Sequence, residues 1–550
     1  MVCGGGYELD GVFGGDGDVG EVVRAILFSV LFLFAPLCVT LNFNKTNCMR
    51  IKILLSAFLL IALSSYSQTN SFQKKFPLID RYMDSLLKDW NVPGLALGIV
   101  YKDQLIYAKG YGYRDLEKKL PVDSKTIFPI ASNTKLFTAT AAAMLAEEGK
   151  LSLDKPARTY MPLLNFNTDE LNTKVTLRDM LSHRTGLPRY DGIWVASPFS
   201  RKEAIAKVAL MKPQLGFREG YIYNNMMFVS AGAVMEVVTG TSWEDITREK
   251  IFKPLDMKLS CFTNKEMMRT NNYSLSYFEP DSTKRLLPKL YVAQSEALGP
   301  AGTIKSNIEE MSHWMIAQLN NGKYKGMQAI PANAIKETLV PNSIAERQGR
   351  WDELSNSLYT LGRAIQTYKG YKIATHTGSI DGFYSNLTLI HGEQLGVFMV
   401  HNGNSGGSYR SGMAFPVIDL LLGLGYTPWS DRYKKDYFDA KVQEKKMKDS
   451  INATQIKNTT PSHELSAYTG TYTNPMYGDM TIELQNGQLI VLFRKQTSTL
   501  YHFHYDQFIT KKENNDKPDF RLSFLTNSKG DIARLAINPF GDPVAEFVKK

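Results

Sequence analysis

The chain has 550 residues, of which 43% are hydrophobic and 21% are charged, and its formal net charge is +10 at pH 7. A chain of this length and composition can bury a large core and is expected to form more than one globular domain. Its 64 Lys and Arg residues are spread without dense clusters, which argues against a nucleic-acid-binding protein and indicates solubility with a mild attraction for anions.

A leader is predicted over residues 1–67. Residues 49–68 have a basic start, an apolar run and small residues before a predicted cleavage after Ser67, which is the pattern of a secretory signal peptide. A second apolar run, at 25–41, could span a membrane marginally. We prefer Met49 as the true start of a secreted or periplasmic protein. A membrane anchor over 25–41 is the alternative.

Cysteine usage argues against a disulfide and against a cysteine-based metal site. Of the 4 cysteines in the chain, only Cys261 lies outside the predicted leader. A single thiol cannot form an internal disulfide. We expect no cofactor and no metal.

The first elements after the leader are predicted to be a helix and a hairpin. Residues 76–90 carry apolar side chains at helical spacing, and the turn at 91–94 stops the pattern. Residues 96–101 and 105–109 are typical of two strands joined by a short turn. The helix is expected to pack on the sheet that these strands begin.

The segment 128–135 (FPIASNTK) places a serine three positions before a lysine at the start of a long apolar run. Neither Gly nor Pro occurs from Ser132 to Glu148, and apolar residues recur at helical spacing, so a buried helix ending at Gly149 is predicted. Residues at i and i+3 share a helix face. The Lys135 amine can therefore reach the Ser132 hydroxyl.

Burial supplies a chemical reason for this pairing. Desolvation lowers the pKa of a buried lysine and leaves a neutral amine that can accept the proton of a serine nucleophile. Ser-x-x-Lys also occurs at Ser71/Lys74 and Ser152/Lys155, but neither serine heads a buried helix. The alternative is that Ser132 only caps the helix.

The middle of the chain, 151–318, is predicted as helices and long loops, including a helix over 226–239 that Gly240 stops. Later strands are predicted at 371–377, 384–390 and 395–400. If early and late strands share one antiparallel sheet, the helical region is an inserted subdomain and a cleft forms between the two. The predicted fold class is α/β, in the α+β sense.

The pattern divides the mature chain into two domains. A main domain is predicted over 68–425, followed by a charged helix and linker over 426–460 and a second domain over 461–550. The last segment is strand-like throughout, with a hairpin turn at Asn486-Gly487. We expect a small closed or nearly closed β-barrel that folds on its own.

Two further motifs follow the Ser132/Lys135 pair. Tyr223-Asn224-Asn225 precedes the predicted 226–239 helix, and His376-Thr377-Gly378 ends a predicted strand. Each tripeptide is common by chance, whereas their order and wide spacing are not.

Together these residues resemble the serine β-lactamase and DD-peptidase superfamily, in particular the branch of class C β-lactamases and related penicillin-binding peptidases and esterases. The resemblance covers about residues 76–425. It extends to YGYRDLEKKLPV before the nucleophile, LSHRTGLP at 181–188, IFKPLDM at 251–257 and GPAGTIKS at 299–306. Residues 461–550 resemble the lipocalin-like domain that is appended to some of these hydrolases.

The resemblance implies an acyl-enzyme formed on Ser132, with Lys135 and Tyr223 sharing the proton transfers. It also implies that Asn225 binds the amide side chain of the substrate. The oxyanion hole would use the backbone N–H groups of Ser132 and Ser379.

The strand carrying His376, Thr377 and Gly378 would bind substrate, and Gly378 would let the strand approach the substrate closely. His376 departs from the lactamase pattern, because those enzymes carry a lysine before Thr-Gly; a histidine resembles DD-peptidases and D-amino-acid peptidases. With an ordinary pKa of about 6.5, it would bind substrate carboxylates better as the pH falls toward 6. Arg363 is considered as the missing charge, with a surface strand residue as the alternative.

The predicted function is an exported serine hydrolase acting on small-molecule or peptide substrates, either a D-amino-acid peptidase or DD-carboxypeptidase, or an esterase. A class C-type β-lactamase is one alternative, and a non-catalytic penicillin-binding or peptidoglycan sensor is another. The sequence does not predict the oligomeric state.

A different enzyme class has one point of support. Residues 403–407 match the G-x-S-x-G nucleophile elbow around Ser405, but that fold needs alternating strands and helices upstream and an acid and a histidine downstream. His183, in the LSHRTGLP segment, is expected to be a structural hydrogen-bonding residue rather than a base.

Overall fold

The computed structural model of the chain describes residues 71–279, 286–289, 296–403, 405–494, 496–510, 520–538 and 541–550. The predicted leader lies outside the described residues, so the signal peptide, the start at Met49 and the 25–41 anchor stay predictions. Within the described ranges, no helix combines the length and the hydropathy that a membrane crossing requires.

One large antiparallel sheet joins the early and late strands of the main domain. Its members, and those of three small ladders, are in chain order β1 (Gly94–Tyr101), β2 (Gln104–Asp115), β3 (Leu120–Pro121), β4 (Phe128–Pro129), β5 (Ser276–Phe278), β6 (Leu287–Lys289), β7 (Lys305–Ser306), β8 (Lys323–Tyr324), β9 (Met327–Gln328), β10 (Ser343–Glu346), β11 (Ser357–Tyr359), β12 (Ala364–Tyr368), β13 (Tyr371–Ile380), β14 (Phe383–Ile390) and β15 (Leu395–His401). Nine strands form the sheet in the order β10-β11-β12-β13-β14-β15-β1-β2-β3. Leu95 of β1 lies opposite His401 of β15, so the single shared sheet is confirmed.

The helices are inserted mainly between the two sets of strands. In chain order they are α1 (Phe76–Asp89), α2 (Thr134–Glu147), α3 (Asp169–Lys174), α4 (Leu177–Leu181), α5 (Arg201–Ala206), α6 (Asn225–Thr239), α7 (Trp243–Thr247), α8 (Asn264–Met267), α9 (Gly299–Gly302), α10 (Ile308–Leu319), α11 (Ala332–Glu337), α12 (Phe415–Leu422) and α13 (Trp429–Ala453). Helices α2 to α11 lie in the chain between β3 and β10, as the predicted helical subdomain requires.

Burial explains the apolar runs of the central strand β1 and of the helices α2 and α6. The strand β1 is buried along its whole length, because it lies between β2 and β15 and α10 packs on it; such a strand is apolar throughout rather than alternating. Helices α2 and α6 are buried around most of their circumference, as expected for core helices. Gly240 ends α6 in the left-handed conformation, with φ of 71°.

The C-terminal strands close into a barrel. They are β16 (Gly470–Asn474), β17 (Gly478–Gln485), β18 (Gln488–Phe493), β19 (Gln496–His504), β20 (Gln507–Thr510), β21 (Arg521–Thr526), β22 (Ile532–Ile537) and β23 (Ala545–Lys549). Each strand pairs antiparallel with the next, and β16 closes the barrel on β23. Asn486 and Gly487 both have positive φ, which a tight two-residue hairpin turn requires. The predicted barrel is confirmed.

Candidate active site

A cleft of about 720 Å³ opens where the sheet meets the helical subdomain, a volume ordinary for a ligand-binding site. The turn before α2, the loop before α6, the strand β13 and the segment after β15 all contribute to its walls. The predicted site residues that line it are Ser132, Tyr223, Asn225, His376, Thr377 and Ser379. A larger groove of about 1090 Å³ beside α10 contains none of the predicted site residues.

Ser132 lies in a short 3₁₀ turn, Ala131–Asn133, immediately before α2. Ala131 has φ of 50°, a left-handed conformation that is uncommon for a residue with a side chain, so the surrounding structure must hold the turn in place. The regular helix begins at Thr134, two residues later than predicted, and its cap position is Asn133. The alternative in which Ser132 serves only as the helix cap is therefore not supported.

Lys135 is fully buried, and its Nζ contacts three oxygens. The distances are 3.2 Å to Ser132 Oγ, 2.8 Å to Asn225 Oδ1 and 2.7 Å to the Ala301 carbonyl oxygen. Burial holds the pKa of Lys135 well below its ordinary value, and the positive charge of Arg189 lowers it further. A neutral amine has two N–H donors for the Asn225 and Ala301 oxygens and one lone pair for the Ser132 O–H. The site is thus arranged for Lys135 to accept the Ser132 proton.

Tyr223 contacts both members of the Ser132/Lys135 pair. It hydrogen-bonds to Ser132, and burial raises the pKa of its hydroxyl, which is therefore protonated at neutral pH. The Lys135 Nζ lies 4.8 Å from the centroid of its ring. The next residue, Asn224, caps α6 by accepting the Met227 N–H at 3.1 Å. This cap fixes the loop that presents Tyr223.

Asp191 is a site residue that the sequence analysis missed. Its Oδ1 accepts hydrogen bonds from Asn225 Nδ2 at 3.0 Å and from Trp194 Nε1 at 2.8 Å, and its Oδ2 accepts one from Arg189 Nε at 2.6 Å. Arg189, Trp194 and Asn225 all line the cleft. One carboxylate therefore orients three cleft side chains, and Asn225 connects it to Lys135.

His376 is buried and neutral. Its Nδ1 lies 2.6 Å from the Thr377 carbonyl oxygen and its Nε2 lies 3.0 Å from the Tyr359 hydroxyl, so Nδ1–H donates to the carbonyl and Nε2 accepts from the tyrosine. Burial, helped by the nearby Lys135, lowers the pKa of His376 to about 3. The expectation that His376 gains charge as the pH falls toward 6 is wrong, because burial and the nearby Lys135 disfavour the charged ring.

Gly378 is required by a close contact with the nucleophile turn. A Cβ at this position would lie 2.3 Å from the Ile130 carbonyl oxygen and 3.1 Å from the Ala131 Cβ. The close approach that the structure shows is to the turn that carries Ser132; the close approach to a substrate stays a prediction. It brings Ser379, the next residue, to the same wall of the cleft as Ser132.

Arg363 does not supply charge to the cleft, and it is not a surface residue either. Its side chain is 1% exposed, and its guanidinium donates to the carbonyl and hydroxyl oxygens of Thr338. Both interpretations of Arg363 are therefore wrong. Burial lowers the pKa of this guanidinium to about 9.

Positive charge at the cleft comes from three arginines that the sequence analysis missed. Arg189 pairs with Asp191, and Arg350 pairs with Asp436 of α13. Arg410 instead donates to the Gly407 carbonyl oxygen at 2.8 Å. Within the described ranges, Arg410 has no carboxylate partner.

Two secondary expectations are also settled. His183 is fully buried, and its Nδ1 accepts the Asn224 N–H at 3.1 Å, which confirms a structural role. Ser405 begins a 3₁₀ turn, Ser405–Tyr409, after the last strand of an antiparallel sheet. The parallel sheet that the G-x-S-x-G elbow requires is not the sheet of this domain.

Family models match both domains of the chain. The family model described as Beta-lactamase matches residues 79–420, and the model of a domain of unknown function (DUF3471) matches residues 454–548. The first match covers the sheet and the helical subdomain, and the second covers the barrel.

Two relatives and one solved structure illustrate the likeness. Unguisins hydrolase ungD' of Aspergillus campestris (strain IBT 28561) is 29% identical over 445 residues, covering 75% of this chain and 79% of its own. Protein flp of Staphylococcus aureus (strain N315) is 27% identical over 346 residues, covering 61% of this chain and 64% of its own. The structure of the octameric penicillin-binding protein homologue from Pyrococcus abyssi superposes with a TM-score of 0.58 at 21% identity, covering 86% of this chain and 100% of that one. This last match shows a common fold.

Proposed function

Because the chain belongs to the beta-lactamase family and is a serine hydrolase of that family, we propose that it hydrolyses amide or ester bonds of D-amino-acid peptides or small acyl compounds. The acyl group is carried by Ser132. The observation that carries the proposal is the buried Lys135 amine, which lies within hydrogen-bonding distance of Ser132 Oγ, Asn225 Oδ1 and the Ala301 carbonyl.

In the acylation step, Ser132 Oγ attacks the carbonyl carbon of the substrate while its proton passes to Lys135 Nζ. The oxyanion that forms then collapses, and the bond to the leaving amine or alcohol breaks. Tyr223 donates its hydroxyl proton to the leaving group and recovers a proton from Lys135. Water attacks the acyl-serine by the same path in reverse, which releases the acid and restores the Ser132 hydroxyl.

The oxyanion is held by the backbone N–H groups of Ser132 and Ser379. Gly378 contacts the turn that carries Ser132, which supports this placement. Losing one such donor costs roughly 2.7–4 kcal/mol of transition-state stabilisation.

Arg410 is the proposed anchor for a substrate carboxylate. It lines the cleft, and no carboxylate in the described part of the chain neutralises it, unlike Arg189 and Arg350. A guanidinium binds a carboxylate through paired charge-assisted hydrogen bonds. This assignment replaces the role first expected of His376.

Peptidase or esterase activity is favoured over a class C-type β-lactamase, which is the second candidate. His376 is neutral and hydrogen-bonded on both ring nitrogens, so it provides no permanent charge where lactamases of this type have a lysine. A relative named as an unguisins hydrolase supports turnover rather than binding alone. The non-catalytic sensor is the third candidate.

Three finer assignments are part of the same proposal. We place the enzyme in the branch related to class C β-lactamases, we regard the closed eight-stranded barrel as lipocalin-like, and we propose export through the signal peptide at 49–67. N-terminal sequencing of secreted protein is expected to begin at Gln68; an N-terminus upstream of Met49 in membrane fractions would support the anchor instead.

The test is a mass spectrum of the purified protein mixed with a fluorescent penicillin, D-Ala-D-Ala peptides and simple esters, with Ser132→Ala and Ser405→Ala as matched controls. We expect an acyl adduct on Ser132 and turnover of peptides or esters. Rapid penicillin turnover without peptide or ester hydrolysis would identify a β-lactamase. A stable adduct without any turnover would identify a sensor.

A further inference from the structure

The barrel is in direct contact with the loop that carries Asp191. Neighbouring barrel strands run in opposite directions, so the β16–β17, β18–β19 and β22–β23 connections lie at the same rim. These three connections contain Tyr477, Arg494 and Asp542, respectively. All three side chains take part in the contact.

The central contact is a buried carboxylate. Asp542 is 5% exposed, and its Oδ2 accepts the backbone N–H of Gly192 at 2.8 Å and the Tyr477 hydroxyl at 3.1 Å. Arg494 Nη1 donates to the Val195 carbonyl oxygen at 2.7 Å. The barrel therefore holds the backbone within the short helix Asp191–Ile193, at Gly192, and just after it, at Val195.

The groups around Asp542 shift its pKa in both directions. Burial raises the pKa of Asp542 to about 6, and the negative charge of Asp191 raises it too, whereas hydrogen bonds from Gly192 and Tyr477 lower it. Arg494, from the same rim, adds a positive charge on this side. The Asp542 carboxylate accepts the Gly192 N–H, a hydrogen bond that is stronger when the acceptor is ionised.

A path of hydrogen bonds and one backbone link, between Gly192 and Asp191, leads from this carboxylate to Ser132. Gly192 follows Asp191, whose Oδ1 accepts from Asn225 Nδ2, and Asn225 Oδ1 accepts from Lys135 Nζ. The same Asp191 carboxylate holds Arg189 and Trp194 at the cleft wall. Moving the backbone at Gly192 would therefore move the partner of the proposed base and one wall of the cleft together.

We propose that Asp542 of the barrel is a positioning residue for the hydrolase site, acting through Gly192 and Asp191 on Asn225 and Lys135. The barrel thus completes the active site of its own chain. A domain attached only as a passive appendage would need no buried carboxylate aimed at this loop. The inference rests on the proposed function, because it assigns Lys135 as the group whose position is controlled.

The test compares Asp542→Ala with Asp542→Asn in the full-length protein, using a p-nitrophenyl ester and counting active sites with a fluorophosphonate label. Asn retains an oxygen that can accept the Gly192 N–H, whereas Ala does not. We expect Asp542→Ala to lower kcat per active site roughly tenfold, since small misplacements of catalytic groups have large effects on rate, and Asp542→Asn to stay within about twofold of wild type. Asp531→Ala, an exposed acid elsewhere in the barrel, is the matched control and should not change kcat.

Counting active sites separates positioning from folding, because misfolded protein is not labelled. If Asp542→Ala does not fold, Tyr477→Phe removes one hydrogen bond to Asp542 while keeping the ring, and a kcat loss of about threefold is expected. Wild-type kcat per active site in the folded variants, or equal losses in the Ala and Asn variants, would overturn the proposal. Ser132→Ala separates a failure of the positioning role from a failure of the proposed function. Activity in Ser132→Ala would overturn the proposed function as well. An inactive Ser132→Ala together with wild-type kinetics in Asp542→Ala would overturn the positioning role alone.

Discussion

Two parts of the cleft differ in the burial of their basic side chains. At the nucleophile end, Lys135 is fully buried and its pKa is held well below the ordinary value, which favours the neutral amine that the proposed mechanism needs as a base. The arginines of the cleft wall are more accessible to solvent: Arg410 is half-buried and Arg350 is exposed. We call this part of the wall the charged end.

This difference separates chemistry from recognition. Proton transfer from Ser132 needs a base that is not already protonated. Burial favours the neutral form of a lysine because it lowers the pKa of the amine. Attraction of an anionic substrate needs a permanent charge, which an arginine provides at any working pH. Each end is thus built from the residue type that its task requires, and each can be tested without the other.

The largest effect is expected at the neutral end. Ser132→Ala and Lys135→Ala should each lower kcat roughly a thousandfold or more, because members of a nucleophile–base unit fail together. Ser132→Ala should leave the free energy of unfolding within about 1 kcal/mol of wild type, since Asn133 and not Ser132 occupies the helix cap. Ester hydrolysis and thermal unfolding measure the two effects.

Lys135→Arg is the informative companion variant. It keeps a positive charge but cannot become neutral, so it should be as inactive as Lys135→Ala. If Lys135→Arg retains substantial activity, Lys135 acts by its charge and not as a base, and the contrast between the two ends of the cleft disappears.

The next effect is the pH dependence that a neutral base imposes. The active form of Lys135 is deprotonated, so kcat/KM should fall as the pH drops through its lowered pKa, with a limiting slope of about tenfold per pH unit. The fall begins well below the ordinary lysine range because burial favours the neutral form. The pH dependence should be measured with an uncharged ester between pH 5 and 10. Such a substrate has no carboxylate for Arg410 to bind, so the profile reports on Lys135. A profile that rises only near pH 10 would mean that the amine is charged at neutral pH.

A smaller effect is expected at the charged end. Arg410→Gln should raise KM for substrates with a free carboxylate by roughly 10- to 100-fold, the value of a lost hydrogen bond to a charged group, and should leave KM for an uncharged ester nearly unchanged. Arg347→Gln is the matched control, because Arg347 is exposed and does not line the cleft. Equal losses for both substrate types would show that Arg410 shapes the cleft rather than binding the carboxylate.

The sequence predicts the neutral end of the cleft far better than the charged end. Ser132 and Lys135 are three positions apart, in the turn before α2 and in its first turn, so local periodicity and the apolar run are enough to pair them and to predict the lowered pKa. The closed barrel and the shared sheet were likewise predictable from alternation and turn residues. Asp191 and Arg410 were not, because only the tertiary fold brings Asp191 to Asn225 and Arg410 to the wall of the cleft, and no local pattern marks either residue.

Arg363 and His376 show a second limit. A single arginine in a predicted strand is expected to be exposed or to bind a ligand, because burying a guanidinium without a carboxylate is energetically unfavourable. In the structure, the two oxygens of Thr338 accept hydrogen bonds from the Arg363 guanidinium. For His376, the residue type suggests a titration near neutral pH, and only the buried position beside Tyr359 and Lys135 reveals a neutral ring. In both cases burial determines the charge and the hydrogen-bond partners of the side chain. The burial of a single polar residue cannot be predicted from the sequence.

The smallest effect is predicted for His376, and it sharpens the contrast most directly. With a pKa of about 3, the ring is uncharged throughout the range from pH 6 to pH 8, so KM for a carboxylate-bearing D-Ala-D-Ala peptide should change by less than about twofold over that range. His376→Asn, which keeps a hydrogen-bonding side chain without a titrating group, should show the same flat dependence, although its kcat can fall because Thr377 and Tyr359 lose a partner. Arg410→Gln provides the complementary control, because it should shift KM by the same factor at every pH. A wild-type KM that improves severalfold as the pH falls to 6, and a flat KM in His376→Asn, would show that the histidine does become charged in the complex and that the two ends of the cleft share the task of holding the substrate.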